Sequence, residues 1–313
     1  MNVRVVCIVS VLLLAACTQS GSDAQTAIDK TSPFVGGTDA VALSFLNTRD
    51  EVFDAGSDPF EVVVQLQNKG EYTVRKDDVR VRIAGINAKE FNKLDEDLVI
   101  SSSEDLLGLS KDAQGNTLLG RQSTVEFTEL NYQGKVVGAT QTFPLVVDLC
   151  HSYRTDAVTN ICILGDVLGG SSVCKVEEKK TAFSSGSPIH VEDMQEFGRA
   201  KDKIGFTFTI KHVGSGTTYE KASRCVNDRA KNKVLVHIDA RMDGLQCTGL
   251  MQKNGTAVEG SVQLIEGSKT ISCSQIVTRK ADFEQPVQIT LGYDYDVQAR
   301  KQLTVKSSGK TDQ

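Results

Sequence analysis

The sequence has no Trp, five Pro and 6% aromatic residues, which excludes a Pro-rich rod and a surface built on Trp platforms. No stretch approaches about 18 consecutive apolar residues, so a membrane-spanning helix is not expected. The formal net charge of -5 lacks the basic excess that marks a nucleic-acid partner. No Gly-x-x-x-x-Gly-Lys-Ser/Thr phosphate loop occurs. The runs Gly214-Ser215-Gly216 and Gly186-Ser187-Pro188 read as turns, with no nucleophile elbow between a strand and a helix. What is present is 40% hydrophobic residues over 313 positions, enough to fill about two cores.

The N-terminus reads as an address. Arg4 precedes an apolar run from Val5 to Ala16, about a dozen residues, which suits an export signal and is too short to span a bilayer. The run ends Leu14-Ala15-Ala16-Cys17, which resembles a prokaryotic lipobox. That resemblance implies a signal peptide over residues 1–16 and lipidation of Cys17. Residues 17–35, rich in Ser, Thr, Gln, Asp, Gly and Ala, then form a flexible tether. The expected location is the extracytoplasmic face of the cell membrane, held by lipid at Cys17.

Six Cys remain beyond the lipobox: Cys150, Cys162, Cys174, Cys225, Cys247 and Cys273. An even number in an exported chain points to disulfides. Cys150 and Cys162 flank Arg154-Thr155-Asp156, a plausible hairpin turn, and Cys162 with Cys174 is an equal rival. Cys247–Cys273 is favoured because both lie near ends of predicted strands. Zinc is not expected: no two of these Cys are closer than 12 residues, and His151, His190, His212 and His237 are scattered. No other metal and no cofactor is expected.

Residues 36–164 carry β alternation. Phe60, Val62, Val64 and Leu66 share one face of a strand that Asn68-Lys69-Gly70 ends. Val79, Val81 and Ile83 alternate with Arg80 and Arg82. Asn87-Ala88-Lys89-Glu90 resembles a capping box opening a short helix to about Asp95. Residues 120–128 and 136–149 supply later strands, the last with Phe143, Leu145, Val147 and Leu149 on one face. This region holds 12 Lys+Arg against 20 Asp+Glu, whereas residues 165–313 hold 21 against 18. That asymmetry is read as a solvated acidic surface, the alternative being an attraction between two domains or two subunits.

Residues 165–184 read as a connector and residues 185–306 as a second β domain, followed by a tail over 307–313. Ile204, Phe206, Phe208 and Ile210 give the cleanest alternation in the chain, and His212-Val213-Gly214 ends it. Val234, Val236 and Ile238 alternate in the next strand. Val287, Ile289, Leu291, Tyr293 and Tyr295 stripe the last, with Asp294 and Asp296 opposite. Both regions place an alternating strand ending in x-x-Gly early, which suggests a duplicated plan. The expected fold is all-β: two tandem Ig-like antiparallel β-sandwiches, the second stapled by disulfides.

Gly36-Gly37-Thr38, Asp50-Glu51-Val52-Phe53-Asp54, Asp58-Pro59-Phe60 and the Val64-x-Leu66-x-Asn68-x-Gly70 run resemble a family of uncharacterised archaeal surface lipoproteins. The run from Cys150 through Tyr153, Thr155 and Cys162 is similar too. The strand ending in Asn-x-Gly also resembles Ig-like adhesion modules. These resemblances imply binding or spacing without catalytic machinery, with an envelope or surface protein or a glycan as partner.

Two further constellations stand beside that reading. Asp50, Glu51, Asp54 and Asp58, and Asp95, Glu96 and Asp97, are hard oxygen donors of the kind that hold calcium, or solvated loop charges. Asn254-Gly255-Thr256 is a glycosylation sequon, though the preferred reading is an Asn-Gly hairpin turn. The expected function is a noncatalytic, membrane-anchored binding, adhesion or envelope-scaffold module. An accessory subunit of a secretion or transport assembly is the runner-up. A surface hydrolase with an unrecognised site is the third reading, and it requires a convergent polar pocket with perturbed ionisation.

Overall fold

Alternating apolar residues pair into sheets wherever one face is buried, and this chain does so almost throughout. A computed structural model describes residues 31–169, 171, 173–278 and 281–309. Its regular elements are β-strands and short 3-10 turns. The first nine strands are β1 (Val41–Phe45), β2 (Glu51–Phe53), β3 (Phe60–Asn68), β4 (Val79–Ala84), β5 (Val99–Ile100), β6 (Ser110–Lys111), β7 (Thr117–Leu118), β8 (Gln122–Leu130) and β9 (Thr140–Ile163). The remainder are β10 (Glu178–Lys179), β11 (Ala182–Ser184), β12 (Ile189–Ala200), β13 (Lys203–His212), β14 (Thr217–Tyr219), β15 (Lys233–Asp239), β16 (Leu245–Cys247), β17 (Met251–Gln252), β18 (Ala257–Gln263), β19 (Ser268–Ile276) and β20 (Phe283–Lys306).

The protein is all-β, built of antiparallel sheets stacked as sandwiches, as the alternation predicts. In the first sandwich β1, β3 and β8 form one sheet. The facing sheet holds β4, the first half of β9 and the second half of β20, with β2 running parallel to β20 at residues 304–306. That division of strands is the immunoglobulin-type arrangement. Phe60, Val62, Val64 and Leu66 are buried against Leu145, Val147, Leu149, Leu303 and Val305. Phe91, from a 3-10 turn at Ala88–Phe91, seals one end with its ring 6.2 Å from Phe60 and 5.3 Å from Phe143. The predicted helix there is only this turn. Asn87 Oδ1 caps it by accepting from Lys89 N, and Asn92, in the left-handed region, ends it.

The second sandwich sets β10-β12-β13-β19-β16 against β18, β15, the first half of β20 and the second half of β9. It is not a bead following the first. β9 and β20 pair antiparallel without a break from Phe283–Ile163 to Lys306–Thr140, so the two strands run through both sandwiches. The first sandwich is therefore completed by the end of the chain, and the second is inserted between β9 and β20. A cut over residues 165–184 does not separate two modules. That stretch carries β10 and β11, and the chain from Pro33 onward is one compact unit.

The expected turn at Arg154-Thr155-Asp156 lies in mid-strand. Its polarity suggests a bend, but Thr155 faces inward and is satisfied there. Its hydroxyl donates to Ile189 O at 2.8 Å and lies 2.9 Å from Ser187 Oγ and 3.0 Å from Tyr293 Oη. Arg154 and Asp156, both outward, bond each other at 3.0 Å.

A polar layer marks the waist where the two sandwiches meet within one continuous core. Tyr153 Oη donates to Gly186 O and accepts from Tyr72 N. Tyr295 Oη accepts from Gly216 N at 2.6 Å and lies 3.2 Å from His212 Nε2. The two x-x-Gly strand ends meet these tyrosines in the same manner. A Cβ at Gly70 would collide with Tyr153 Oη, and one at Gly214 with Tyr295 Oη. This equivalence is the physical content of the duplicated pattern.

Candidate functional site

The outer face of the shared sheet collects the polar half of every alternation. Three registered rows cross it at the waist. Arg82 on β4, Asp148 on β9 and Gln298 on β20 form the first. Arg80, Cys150 and Asp296 form the second, and Ser152 lies opposite Asp294 in the third. Because side chains on a strand alternate, the buried rows His151–Tyr295 and Tyr153–Tyr293 commit these neighbours to the opposite face of the sheet, where the loop described below covers part of them.

A loop after β14 arches over this face. Its Cys225 is bonded to Cys150, and the buried Asp294 carboxylate holds its backbone from below. Asp294 accepts from Arg224 N at 2.7 Å, from Ala222 N at 3.2 Å and from Ser223 Oγ at 3.4 Å. Ala222, Arg224 and Cys225 all adopt left-handed backbone (φ 64, 54 and 55). Such conformations cost of order 1–3 kcal/mol each in non-glycine residues and persist only where surroundings enforce them. Here the disulfide and the carboxylate do so.

Between loop and sheet runs a groove of about 720 Å³ whose lining sets Arg75, Arg80, Lys221 and Arg224 beside Asp77, Asp78 and Asp294. It shares Arg80, Cys150 and Arg224 with an adjoining pocket of about 260 Å³ that holds Arg82, Asp148, Asp296 and Gln298. Arg82 pairs with Asp148 Oδ2 at 2.7 Å, while Asp148 Oδ1 is buried without a hydrogen-bond partner. Burial, and secondarily the nearby Asp148 charge, push the Asp296 carboxyl up to about 6. Burial also raises Asp294. Arg75, Arg80, Lys221 and Arg224 have no ion-pair partner among the described residues. The groove thus offers unpaired guanidinium donors beside carboxylate acceptors on a rigid floor.

No family model matches the chain, and no curated protein matches it. Fold and site together define an all-β, disulfide-stapled double sandwich with a polar groove on its shared sheet.

All six candidate Cys are bonded, as Cys150–Cys225, Cys162–Cys174 and Cys247–Cys273. The favoured Cys247–Cys273 pair is present, directly opposed between β16 and β19. Of the two rivals, Cys162–Cys174 forms. Cys150 and Cys162 cannot meet, because they lie twelve positions apart on one extended strand. Cys17, the signal and residues 17–30 of the tether lie outside the described residues.

Asn254 is exposed at the hairpin between β17 and β18. Its Oδ1 accepts from Thr256 N at 3.0 Å and Ala257 N at 2.8 Å, which makes it the turn residue the sequence allows. The first acidic cluster is engaged internally. Arg49 clasps Asp58 with two bonds of 2.8 and 2.9 Å, Asp54 accepts from Val136 N and Ser308 N, and Lys301 and Lys306 pair with Asp50 and Glu51. In the second, Asp97 accepts from Leu94 N at 2.9 Å. Among the described residues no group of three His, Cys, Asp or Glu gathers as a metal site.

The groove residues were visible in the sequence only as outward partners of apolar stripes. The signal was their chemistry: Arg80 and Arg82 on one strand, Asp294 and Asp296 on another. Nothing in spacing says that strands more than 200 positions apart stand beside β9 together.

Proposed function

We propose that the protein is a lipid-anchored, extracytoplasmic, noncatalytic binding module of the cell envelope, and that the groove under the Cys150–Cys225 loop is its binding face. The observation that carries this reading is the groove itself: a polar concavity whose floor is two 24-residue strands and whose rim is locked by a disulfide. A preorganised face of this kind loses little conformational entropy on binding. Three disulfides support an oxidising compartment, and the lipobox-like Leu14–Cys17 run supports the anchor. Crosslinking the lipidated protein on intact cells, with recovery of bound material, tests the module. Loss of recovery on Arg80→Ala is expected; unchanged recovery contradicts the assigned face. Mass spectrometry of the mature N-terminus tests the anchor, and an unmodified Cys17 rules it out.

A surface hydrolase is the second reading, favoured by the pocket that places Asp148 and Asp296 on neighbouring strands with Asp296 raised to about 6. Two carboxylates with unequal proton affinity can serve as acid and base. The binding reading is preferred because Asp148 is clamped by Arg82. Incubation with defined oligosaccharides, followed by chromatography of the products, separates the two readings: cleavage abolished by Asp296→Asn establishes the hydrolase.

A further inference from the structure

We infer that the groove takes an acidic saccharide, a sugar chain whose rings carry carboxylates; the inference rests on the binding-face reading above. Arg80 and Arg224 line both the main groove and the adjoining pocket, one from β4 and the other from the pinned loop. Neither has an ion-pair partner among the described residues. Two unpaired guanidinium groups facing one space are matched by a planar carboxylate, which accepts paired N–H bonds from each fork.

Beside them lies a carboxylate acceptor. The half-buried Asp296 lines the adjoining pocket, and its side chain receives no hydrogen bond among the described residues. A carboxylate open to a pocket accepts readily from hydroxyl donors, and sugar hydroxyls are donors of the right size. Ser152 and Tyr72 add hydroxyl groups along the main groove.

The mixture of signs selects among anions. Along the floor Arg80 and Arg82 alternate with Asp148 and Asp296 in register. A DNA strand sets backbone phosphates against those carboxylates with no hydroxyl donor beside them, and like charges in contact are unfavourable. A sugar chain alternates carboxylates with hydroxyls and meets both. The two pockets join through Arg80, Cys150 and Arg224, so a chain of several rings has continuous contact.

The test is calorimetric titration of the full lipidated chain in detergent with a galacturonate tetramer. A neutral galactose tetramer and a single-stranded oligonucleotide serve as comparison probes. Binding of the galacturonate tetramer is expected, with the neutral tetramer at least about tenfold weaker, since one charge-assisted carboxylate contact is worth roughly a factor of ten. Arg80→Ala, Arg224→Ala and Asp296→Ala should each weaken binding about tenfold or more, while Lys89→Ala, outside the groove, changes nothing. Thermal melts of each variant confirm that it is folded. Equal binding to both tetramers, tighter binding to the oligonucleotide, or galacturonate affinity unmoved by Arg80→Ala would each overturn the inference. Recovery from cells of a protein partner lost on Arg80→Ala also overturns it, yet leaves the binding module intact. Shortened galacturonate products would instead overturn the noncatalytic reading and keep the ligand.

Discussion

Cys150, at the waist of β9, is bonded to Cys225, 75 positions further on, in the loop that covers the outer face of the shared sheet. The bond closes over Arg80 and Asp296, which flank Cys150 in register. Replacing both cysteines by Ser should lower stability by about 2–4 kcal/mol, the range for removing a long-loop crosslink. The larger effect should be local. Left-handed Ala222, Arg224 and Cys225 lose one of their two restraints, so limited proteolysis should cut within residues 220–231 in the variant and spare the native protein. Identical digestion patterns would show that Asp294 alone holds the loop.

His151 is fully buried between the rings of Tyr153 and Tyr295, at 5.8 and 6.1 Å, and neither ring nitrogen has a hydrogen-bond partner. Burial pushes its imidazole down to about 3. A depressed folded-state value means that the unfolded chain binds the proton first as pH falls below about 6.5. The stability tied to neutral His151 is therefore full above about pH 6.5 and is lost toward pH 3. Between pH 7 and pH 5 the loss is about 2 kcal/mol. Glu196, Asp294 and Asp296 are raised and act in the opposite sense, so the informative quantity is the difference from a variant. His151→Leu should gain about 2 kcal/mol on the native protein between pH 7 and pH 5, measured by urea unfolding at each pH. A pH-independent difference would mean that His151 does not titrate as a buried neutral ring.

Glu196 on β12 reaches across to the second half of β9, where both its oxygens accept from Cys162 N at 2.9 and 3.0 Å. Its side chain is fully buried beside Lys180, 3.3 Å away. Burial raises the carboxyl to about 7 in spite of that lysine. Glu196→Leu should cost about 3–5 kcal/mol, because it strands a buried N–H and leaves Lys180 without this partner. Glu196→Gln keeps an acceptor for Cys162 N and should cost less than half as much. It should also remove the native protein's loss of stability as pH rises from about 4.5 through 7, since a raised carboxyl favours folding only while protonated. Equal costs for the two variants would place the energy in packing.

Gly70 ends β3's turn where Tyr153 Oη and the carbonyls of Asp39 and Gly186 close in. Gly70→Ala should destabilise by about 3 kcal/mol or more, because the intruding Cβ meets backbone and a buried phenol with no room to shift. Gly115→Ala serves as comparison: its site is open space with φ +86, so only a backbone penalty of about 1 kcal/mol is expected. Thermal melts of both variants check the contrast.

The strands were legible because burial of one face writes period two into the sequence. Phe60 to Leu66, Ile204 to Ile210 and Val287 to Tyr295 are all found as predicted. Cys247–Cys273 was legible from the placement of both Cys near the ends of predicted strands, and the two are directly opposed across β16 and β19. The break expected at residues 154–156 failed because polarity alone does not distinguish a turn from an inward hydroxyl satisfied by Ser187, Ile189 and Tyr293.

By itself the sequence determined that this chain is all-β, which residues of each strand face a core, and that its late cysteines are positioned to pair. Those properties are local, set by side-chain period and spacing. Tertiary structure alone decided that one sandwich is inserted between β9 and β20, that Cys150 reaches Cys225, and that Arg80, Asp148, Asp296 and Arg224 share a groove. Those depend on which strands lie side by side, and that choice is made by the packing of whole sheets, where every strand with an apolar face competes for the same neighbours.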